Sequence, residues 1–550
     1  MANLSQEKRE RMLAFLNTLK EQHKDNDNAL IAINEIENAL NEKKYGLVWE
    51  QHEEAVDVKM RTHIPVFTED KDLEIAAAPG EPYNFLLEGD NLHSLRLLEK
   101  THRGKVDLIY IDPPYNTGNK DFVYADIFVN KDDGFRHSKW ISFMRARLEL
   151  MRELLSERGS IFISIDSHEQ AQLKLLCDDI FGEDNFVDMV SWFKKASPSN
   201  DAQFFSNDIE YILIYARNKM KFSLNRLPLN EKQRKNYSNP DNDPRGDWNS
   251  ATYTCNKTKE QRPSLYYPII NPNTGEEVWP KETAVWAYSK EQCEKHAAEG
   301  LLYWGKNGKA QFPRFKKFLS GHKGVVNRTL WHYDDVGHTQ GASMELKKLG
   351  VKGFDTPKPA RLIKRILCIA SQKDSVVLDA FAGSGTTAQA VLELNKEDGG
   401  SRKFIICTNN ENNICKQVTY PRVKTVITGI RNDGAKYSDG IPANLKYYHT
   451  DFVSKDEEFL SDVLLEHVAE MIQLEHGIKL DGKQYIMVLS DEEADQLAAH
   501  WDEYPDVKAL YVADQVLFTT EQERLFKNVE IYTIPDYYFN FELQEVGETW

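Results

Sequence analysis

The chain has 550 residues, enough for three or four domains, and it can bury a large core without a disulfide or metal staple. Its 69 basic and 86 acidic side chains give a net charge of −17, and 41% hydrophobic with 28% charged residues is typical of a soluble globular protein. No stretch approaches 18 uncharged apolar residues, so we expect no membrane span, and the N-terminus lacks the apolar region of a secretory signal. The six cysteines form no C-x-x-C pair, which excludes a zinc ribbon and a disulfide scaffold and favours a reducing cytoplasm.

The first part of the chain predicts helices followed by a β/α pattern. Residues 5–45 repeat apolar side chains at helical spacing and predict two helices. From about residue 84, apolar strands at 85–88, 106–111 and 161–165 alternate with helices, one of them over about 140–156, and 211–215 is a further strand. This alternation predicts a doubly wound, mostly parallel sheet.

Residues 218–330 interrupt the β/α pattern. They contain Asn-Pro, Asp-Pro and Asn-Gly turns, and they carry 20 basic and 11 acidic side chains, a balance of +9 inside an acidic protein. We interpret them as an inserted irregular or β-rich domain. A local basic block is what contact with phosphates requires, although a solvated surface would give the same charge count.

The β/α pattern then resumes, with a helix over 357–371, strands at 376–379 and 404–407 and a helix over 386–394. Residues 424–550 are acidic, with 10 basic and 26 acidic side chains, and predict a helix over 457–474 and strands at 485–489 and 509–512. The chain therefore divides into five parts: a helical N-terminal extension (1–65), a first β/α half (66–217), the basic insert (218–330), a second β/α half (331–424) and an acidic C-terminal domain (425–550).

The first motif suited to chemistry is Asp112-Pro113-Pro114-Tyr115, directly after an apolar strand. Ligands of open α/β sheets bind at the carboxyl ends of strands, where this motif lies. The prolines remove two N–H donors and leave their carbonyls available to a ligand. Asp112 and the Pro113 carbonyl would accept both protons of an exocyclic amine while Tyr115 stacks on its ring. A rigid turn at a strand end is the alternative interpretation.

The second motif runs from Asp379 to Thr387, after a strand and at the start of a helix. The small residues Gly383, Ser384 and Gly385 let a ligand approach the backbone, and the helix N-terminus supplies N–H donors. The spacing lacks the third glycine of G-x-G-x-x-G and the G-K-[ST] ending of a phosphate loop, which disfavours a dinucleotide or ATP site. A tight turn without a ligand is the alternative.

Together, D-P-P-Y and F-x-G-S-G-T-T resemble the motifs of the amino-group DNA methyltransferases that use S-adenosylmethionine. The D-P-P-Y form is typical of the adenine-N6 branch, whereas cytosine-N4 enzymes more often carry Ser in place of the Asp. The catalytic motif precedes the cofactor motif, an order that resembles the β class with its target-recognition insert between the halves. Stretches from Gly89-Asp90-Asn91-Leu92 to Asn409-Asn410-Glu411 also resemble the modification (Mod) subunits of type III restriction-modification systems.

The resemblance implies a fold, an activity and partners. The fold is the doubly wound, mostly parallel, seven-stranded-type sheet of class I S-adenosylmethionine-dependent methyltransferases, with the basic insert as target-recognition domain. The activity is methyl transfer to the N6 amine of an adenine flipped out of double-stranded DNA, without a metal. The implied partners are duplex DNA, a second copy of the chain in a homodimer, and a restriction subunit with helicase and nuclease activity.

Roles of single residues also follow from the resemblance. The catalytic residues are Asp112, Pro113, Pro114 and Tyr115. The cofactor-binding residues are Phe381 beside the cofactor, Gly383, Ser384 and Gly385 making room for it, Asp379 at the methionine amino group, Thr356 and Lys358 at its carboxylate, Glu411 at the ribose hydroxyls with Asn409 and Asn410 as competitors, and Asp90 near the adenine. Helix capping or loop hydrogen bonding is an open alternative for Asp90, Thr356 and Glu411.

Other functions stay open from the sequence alone. The chain could act mainly as a DNA-recognition subunit that delivers a nuclease-helicase partner, or as an orphan methyltransferase without a restriction partner. A methyltransferase acting on RNA adenine or protein glutamine is a third possibility. The 113-residue insert disfavours it, because those smaller enzymes would not need such a domain.

Overall fold

The computed structural model describes residues 4–24, 26–41, 49–50, 52–118, 122–124, 127–129, 132–199, 203–535 and 538–547. The chain forms two compact units, one of residues Met1–Ala55 and Asn116–Met144 and the other of Val56–Tyr115 and Arg145–Trp550. No helix in the described part of the chain combines the length and apolar character needed to cross a membrane.

The described residues form α-helices and β-strands over most of the chain. The α-helices are α1 Leu4–Gln22, α2 Asp27–Asn41, α3 Ala55–Met60, α4 Asn91–His102, α5 Arg136–Leu154, α6 Gln170–Phe181, α7 Glu231–Arg234, α8 Lys290–Ala298, α9 Tyr333–Val336, α10 Thr339–Lys348, α11 Ala360–Ala370, α12 Thr386–Asp398, α13 Tyr420–Thr428, α14 Leu460–Leu465, α15 Val468–His476, α16 Asp491–Ala499, α17 Thr520–Leu525 and α18 Asn540–Val546. The strands are β1 His63–Glu69, β2 Ile75–Ala76, β3 Tyr83–Glu88, β4 Val106–Ile111, β5 Val123–Tyr124, β6 Ile127–Phe128, β7 Leu155–Ile165, β8 Phe186–Phe193, β9 Ile209–Ala216, β10 Trp248–Thr252, β11 Thr254–Cys255, β12 Ile269–Ile270, β13 Glu277–Val278, β14 Val285–Trp286, β15 Leu302–Tyr303, β16 Arg314–Phe318, β17 Leu330–Trp331, β18 Val376–Asp379, β19 Lys403–Thr408, β20 Asn444–Ser454, β21 Tyr485–Val488, β22 Ala509–Val512 and β23 Glu530–Thr533.

The first unit contains the two helices predicted for residues 5–45, α1 and α2, and the hairpin of β5 and β6. The helices pack together with Leu16 and Ile33 buried, and Lys20 forms an ion pair with Glu37. The apolar periodicity predicts both helices, but Met12, Phe15 and Ile36 remain exposed.

The second unit is built on an eleven-stranded sheet in the order β1-β20-β3-β19-β18-β4-β7-β9-β8-β17, with β2 paired to β20. The six strands from β20 to β7 are mutually parallel, and β1 and β9 run antiparallel to their neighbours. This arrangement confirms the predicted doubly wound, mostly parallel sheet. Additional strands extend it on both sides beyond the seven expected.

The chain winds in opposite directions from the two central strands β18 and β4, which are neighbours. From β18 it passes through α12 to β19, and from β4 it passes through α5 to β7 on the other side. Because such crossovers are right-handed, the opposite directions place the helices on opposite faces of the sheet. A crevice therefore opens at the carboxyl ends of β4 and β18, the position where open α/β sheets bind ligands.

Apolar side chains fix these elements. Strand β4 is almost entirely buried, as its continuous apolar run predicts for a central parallel strand. Helix α11 buries Leu362, Ile363, Ile366 and Leu367, one stripe of the helix, and packs on α12. Burial of each such side chain contributes roughly 1.5–3 kcal/mol to the free energy of folding, and this packing stabilises the elements that form the crevice.

The insert, residues 218–330, has small sheets and a core of its own. Its sheets are β10-β16-β15, β11-β14 and β12-β13. Its apolar cluster consists of Tyr253, Tyr267, Ile269, Trp286, Cys293 and Trp304. Near its two ends, Leu227 and Val325 exchange backbone N–H to carbonyl hydrogen bonds of 3.0 and 2.8 Å. The two ends of the insert are thus close together in the structure.

The acidic tail contributes to the large sheet before it forms structure of its own. Strand β20 lies between β1 and β3. The helix predicted over 457–474 is two helices, α14 and α15, with His467 between them in a non-helical conformation. Beyond them, β21, β22 and β23 form a separate parallel sheet.

Candidate active site

Asp112, the first residue after β4, is held by a lysine from the other half of the chain. Lys358 Nζ donates to both carboxylate oxygens of Asp112 at 2.7 Å. Lys358 lies just before α11, and its side chain is 10% exposed while that of Asp112 is 26% exposed. The ammonium of Lys358 is thus paired with Asp112, the proposed catalytic residue.

Tyr115 joins the same cluster through its hydroxyl. Its one proton lies between two acceptors, Asp112 Oδ1 at 2.8 Å and Glu210 Oε2 at 3.1 Å, and its oxygen accepts from Lys358 Nζ at 2.9 Å. Glu210, at the start of β9, also pairs with Lys194, which follows β8, at 3.2 Å. These contacts orient the Tyr115 ring from the far end of the side chain, and Lys358 Nζ also lies over the ring, 5.1 Å from its centroid.

The charges of the cluster compensate one another. Burial raises the pKa of Asp112, and the ammonium of Lys358 offsets only part of that shift. Burial also acts to raise the pKa of Glu210, but Lys358 and Lys194 outweigh it and leave that pKa lowered. The pKa of Lys358 is raised because Asp112 and Glu210 outweigh the effect of its burial. The lysine is therefore a cation that both carboxylates share.

The second motif begins with Asp379, which ends β18 and is buried. Its Oδ1 accepts from the backbone N–H of Phe381 at 3.0 Å, and its Oδ2 accepts from the hydroxyl of Thr387. Burial raises the pKa of Asp379 to about 7, and these two hydrogen bonds offset only part of the effect. Asp379 consequently sits in the crevice with neutral donors and gains or loses its proton near neutral pH.

The turn between Phe381 and α12 depends on two glycines in left-handed conformations. Gly383 has φ +49° and Gly385 has φ +76°. A Cβ on Gly383 would lie 3.1 Å from Phe354 Cζ, and one on Gly385 would lie 3.2 Å from Thr419 Cγ2. Larger residues would strain the backbone and crowd these neighbours, so the turn stays narrow and its backbone stays open to a ligand.

A fully buried arginine holds this turn from behind. Arg422 donates to the hydroxyl of Ser384 at 2.9 Å and to that of Thr386 at 2.7 Å. Thr386 in turn donates to the backbone carbonyl of Lys358 at 3.3 Å. Burial lowers the pKa of Arg422 to about 10. Through Thr386 the glycine turn and the lysine beside Asp112 are parts of one connected structure.

Asp90 has the capping role that was open from the sequence. It is the N-cap of α4, with Oδ1 accepting from Leu92 N at 2.8 Å, and it forms an ion pair with Arg147 at 3.3 Å. Its neighbour Asn91 donates to the carbonyl of Ala380 at 3.0 Å. The end of β3 is therefore tied to the second motif, although Asp90 itself is engaged in the cap.

Four other residues predicted from the sequence do not join these networks. Glu411 opens a short 3₁₀ turn after β19 and is exposed, as are Thr356 and Asn409. Asn410 accepts from the backbone of Lys416 at 3.2 Å. The structure places these side chains near the carboxyl ends of β18 and β19 and assigns none of them a partner that excludes a ligand role.

Sequence reasoning did not select Glu210, Lys194 or Arg422 as site residues. Glu210 was part of a stretch that resembles Mod subunits, and a buried glutamate opening an apolar strand was the available signal. Lys194 and Arg422 gave no signal, because their partners are 16 and at least 33 residues away in the chain.

Comparisons with known proteins agree with this architecture. Residues 106–419 match the family model N6_N4_Mtase, described as DNA methylase. The StyLTI Mod subunit of a type III restriction-modification enzyme from Salmonella typhimurium is 37% identical over 73% of this chain and 65% of that protein. The EcoPI Mod subunit of Escherichia phage P1 is 32% identical, over 70% and 66%. The type II methyltransferase M.KpnI of Klebsiella pneumoniae is 35% identical, over 66% and 87%. The alignments span just under two thirds of the two Mod subunits.

Proposed function

Since this chain belongs to the family of DNA methylases, we propose that it transfers a methyl group from S-adenosylmethionine to the N6 amine of adenine in duplex DNA. The observation that carries the proposal is the cluster of Asp112, Tyr115 and Lys358 at the crevice between β4 and β18. The carboxylate of Asp112, the carbonyl of Pro113 and the ring of Tyr115 lie where the chain winds in opposite directions from β4 and β18. Together they suit a flipped base with an exocyclic amine.

The residues of the second motif fit S-adenosylmethionine. The narrow glycine turn leaves backbone exposed at the start of α12, and the buried Asp379 has a raised pKa that a cationic amino group would lower. When bound, the cofactor would supply an electrophilic sulfonium methyl, whose carbon–sulfur bond breaks as the N–C bond forms and leaves a neutral thioether. We assign Asp379 to its amino group, Phe381 to its flank and Glu411 to its ribose.

The residues around Asp112 handle the amine and its proton. Asp112 and the Pro113 carbonyl accept one hydrogen bond each from N6, which concentrates the lone pair on the nitrogen, while Tyr115 stacks on the base. A carboxylate offers about four acceptor positions, so Asp112 can bind the amine while it keeps Lys358. After the N–C bond forms, the surplus proton on nitrogen passes to Asp112, whose raised pKa suits it as acceptor. Positioning supplies most of the catalysis.

Adenine is favoured over cytosine by the first residue of the motif, because D-P-P-Y resembles the adenine-N6 branch. The insert is the proposed DNA-recognition domain, on the strength of its +9 balance and its separate core. The names of the two Mod relatives support a type III restriction-modification role, in which this chain recognises DNA and recruits a restriction subunit. We expect it to act as a homodimer.

The test is long-read sequencing of DNA from cells that express the wild type, Asp112→Ala or Asp112→Asn. We expect N6-methyladenine at one short sequence in wild-type cells and at least about a hundredfold less transfer in both variants. Asp355→Ala, which removes an exposed carboxylate near the crevice, is the matched control and keeps full activity. Both Asp112 variants bind S-adenosylmethionine normally. Undiminished methylation by Asp112→Ala, or methylation of cytosine, would contradict the proposal.

A further inference from the structure

Two adjacent phenylalanines are almost fully exposed in the segment between β8 and β9. Phe204 is 84% and Phe205 is 93% exposed. Large apolar side chains of this kind lose the stabilisation that burial would give them, and a contiguous exposed apolar patch marks an interaction surface. The pair therefore calls for a partner that covers it.

The strand directions place this segment at the edge of the sheet that holds Asp112. Strand β7 is parallel to β4, β9 is antiparallel to β7, and β8 is antiparallel to β9. The carboxyl end of β8 and the start of β9 therefore lie at the same edge as the carboxyl end of β4. The contact of Glu210, on β9, with Tyr115 demonstrates this directly.

The base of the segment is fixed to the site. The Lys194 backbone N–H donates to the carbonyl of Asp208 at 2.9 Å, and the Ser199 N–H donates to the hydroxyl of Ser206 at 2.7 Å. The Lys194 side chain pairs with Glu210. Glu210 is five positions after Phe205, so their Cα atoms are at most about 18 Å apart, and this bounds the distance from the phenylalanines to a ligand bound at Tyr115.

The surroundings favour a nucleic acid as the partner. Strand β17 is parallel to β8 and ends at the same edge, where the His332 ring packs at a tilt against Tyr333, with 4.2 Å between ring centroids, and lies 5.5 Å from that of Phe193. Lys195 is exposed beside them. Aromatic faces with a nearby cation are the surface that unstacked bases recognise.

We propose that Phe204 and Phe205 are a wedge that enters the DNA stack beside the target adenine and holds open the space that the flipped base leaves. The inference rests on the proposed function. Apolar side chains inserted between base steps unstack them, and their bulk fills the space that the flipped base leaves. The pair are positioning residues, since they act on the base through its neighbours.

The test compares Phe204→Ala/Phe205→Ala with wild type on DNA containing the sequence that is methylated in wild-type cells. One substrate is fully paired, a second has a mismatch opposite the target adenine, and a third carries 2-aminopurine at the target. Met220→Ala is the matched control: Met220 is 94% exposed and follows the end of β9, at the opposite edge of the sheet. Phe204→Leu/Phe205→Leu is the conservative variant.

We expect the alanine variant to lose about tenfold or more in kcat/KM on paired DNA, to give a weaker 2-aminopurine signal, and to recover on the mismatched substrate, where unpairing is already done. The leucine variant and Met220→Ala stay near wild type. Equal activity of the alanine variant on paired DNA, or an equal loss on both substrates, would overturn the wedge. Absence of methylation by the wild type would overturn the proposed function, and the wedge with it.

Discussion

At the residue scale, the crevice contains two buried carboxylates that differ in their partners. Asp112 has a cation, Lys358, on both oxygens, whereas Asp379 has only the neutral donors Phe381 N–H and Thr387. The pKa of Asp379 is accordingly raised to about 7, the range in which a bound amino group decides its charge. Asp112, proposed to bind the adenine, is thus already paired with a cation. Asp379, proposed to bind the cofactor, would gain a cationic partner only when the amino group of the cofactor binds.

Because the pKa of Asp379 is raised, we expect cofactor binding to depend on pH. Below pH 7 it is mostly protonated, so affinity for S-adenosylmethionine should be about tenfold weaker at pH 6 than at pH 8. Isothermal titration calorimetry at several pH values measures this change in affinity.

The raised pKa of Asp379 also affects stability. The free native state holds a proton that the unfolded chain releases, so the free energy of unfolding falls as pH rises from about 4 to 7 and is level above pH 7.

Asp379→Asn is the control for this prediction. It keeps an acceptor for Phe381 and removes the titration, so its weaker affinity should vary with pH only through the amino group of the ligand. A wild-type affinity that does not change between pH 6 and 8, or an identical slope in the variant, would contradict the role of Asp379.

Residue types at a strand end could be read from the sequence, but side-chain pairing across the fold could not. Asp112 and Tyr115 stand out because two prolines and an apolar strand frame them. The partner of Asp112 is 246 residues away, and the distance between two positions in a chain does not give their separation across a sheet. Lys358 was therefore predicted at the cofactor carboxylate, and that role stays a prediction beside its observed contact with Asp112.

At the element scale, the two ends of the insert are joined by an antiparallel pair of residues. Leu227 and Val325 are hydrogen-bonded to each other in both directions, and Asn225 beside them donates to the carbonyls of Cys368 and Ser371 at the end of α11. Residues between 227 and 325 pack around their own aromatic cluster. We therefore expect the insert to be separable from the crevice.

This attachment predicts that the insert can be removed cleanly. Replacing residues 228–324 by Asn-Gly closes the Leu227–Val325 pair with a two-residue hairpin turn. We expect the shortened protein to bind S-adenosylmethionine within about twofold of wild type and to lose duplex-DNA affinity by about a hundredfold or more. Calorimetry and gel-shift titration at one fixed salt concentration measure the two. Retained DNA affinity would place recognition elsewhere in the chain.

Strands and helices of the β/α halves were predicted well because their apolar patterns are strong. β4, β18 and β22 have the bounds expected from the sequence, and both motifs lie at strand ends as predicted. The two-residue strands of the insert and the break at His467 carry no periodicity, so tertiary contacts alone define them. β7 begins at Leu155, before Gly159, because a register shift against β4 near Val106 extends its pairing. The domain boundaries stay predictions.

At the scale of the whole molecule, family membership and fold follow from the pattern of motifs, and both are confirmed. The division of the tail from the catalytic halves is less sharp. Strand β20 pairs with β3 over six residues and with β1 over seven, and Lys446 on it forms a buried ion pair with Glu69. The first part of the tail is therefore a component of the central sheet.

Two truncations should separate these parts of the tail. A chain ending at Lys424 lacks β20 and leaves β1 and β3 with unpaired edges, so we expect it to aggregate. A chain ending at Gly482 keeps β20, α14 and α15 and loses the sheet of β21, β22 and β23 together with α16, α17 and α18. We expect it to fold and bind S-adenosylmethionine, with lower stability because Lys100 and Lys455 lose their ion pairs with Glu542 and Glu545 of α18. Size-exclusion chromatography and cofactor titration test both. A folded, cofactor-binding 1–424 chain would contradict this role of β20.

The position of β3 between β19 and β20 also sets the order of events during synthesis on the ribosome. β3 ends at residue 88, whereas its neighbours occupy residues 403–408 and 444–454. At roughly 5–20 residues per second, this strand waits for roughly 15–65 s before either neighbour has been made. The nascent chain thus carries an apolar strand with two open edges through most of its translation, and chaperones that shield such edges would have their main task in this interval. The crevice between β4 and β18 forms only after Asp379 and the glycine turn behind it have been made, so the proposed methyl transfer cannot begin on the first half of the chain.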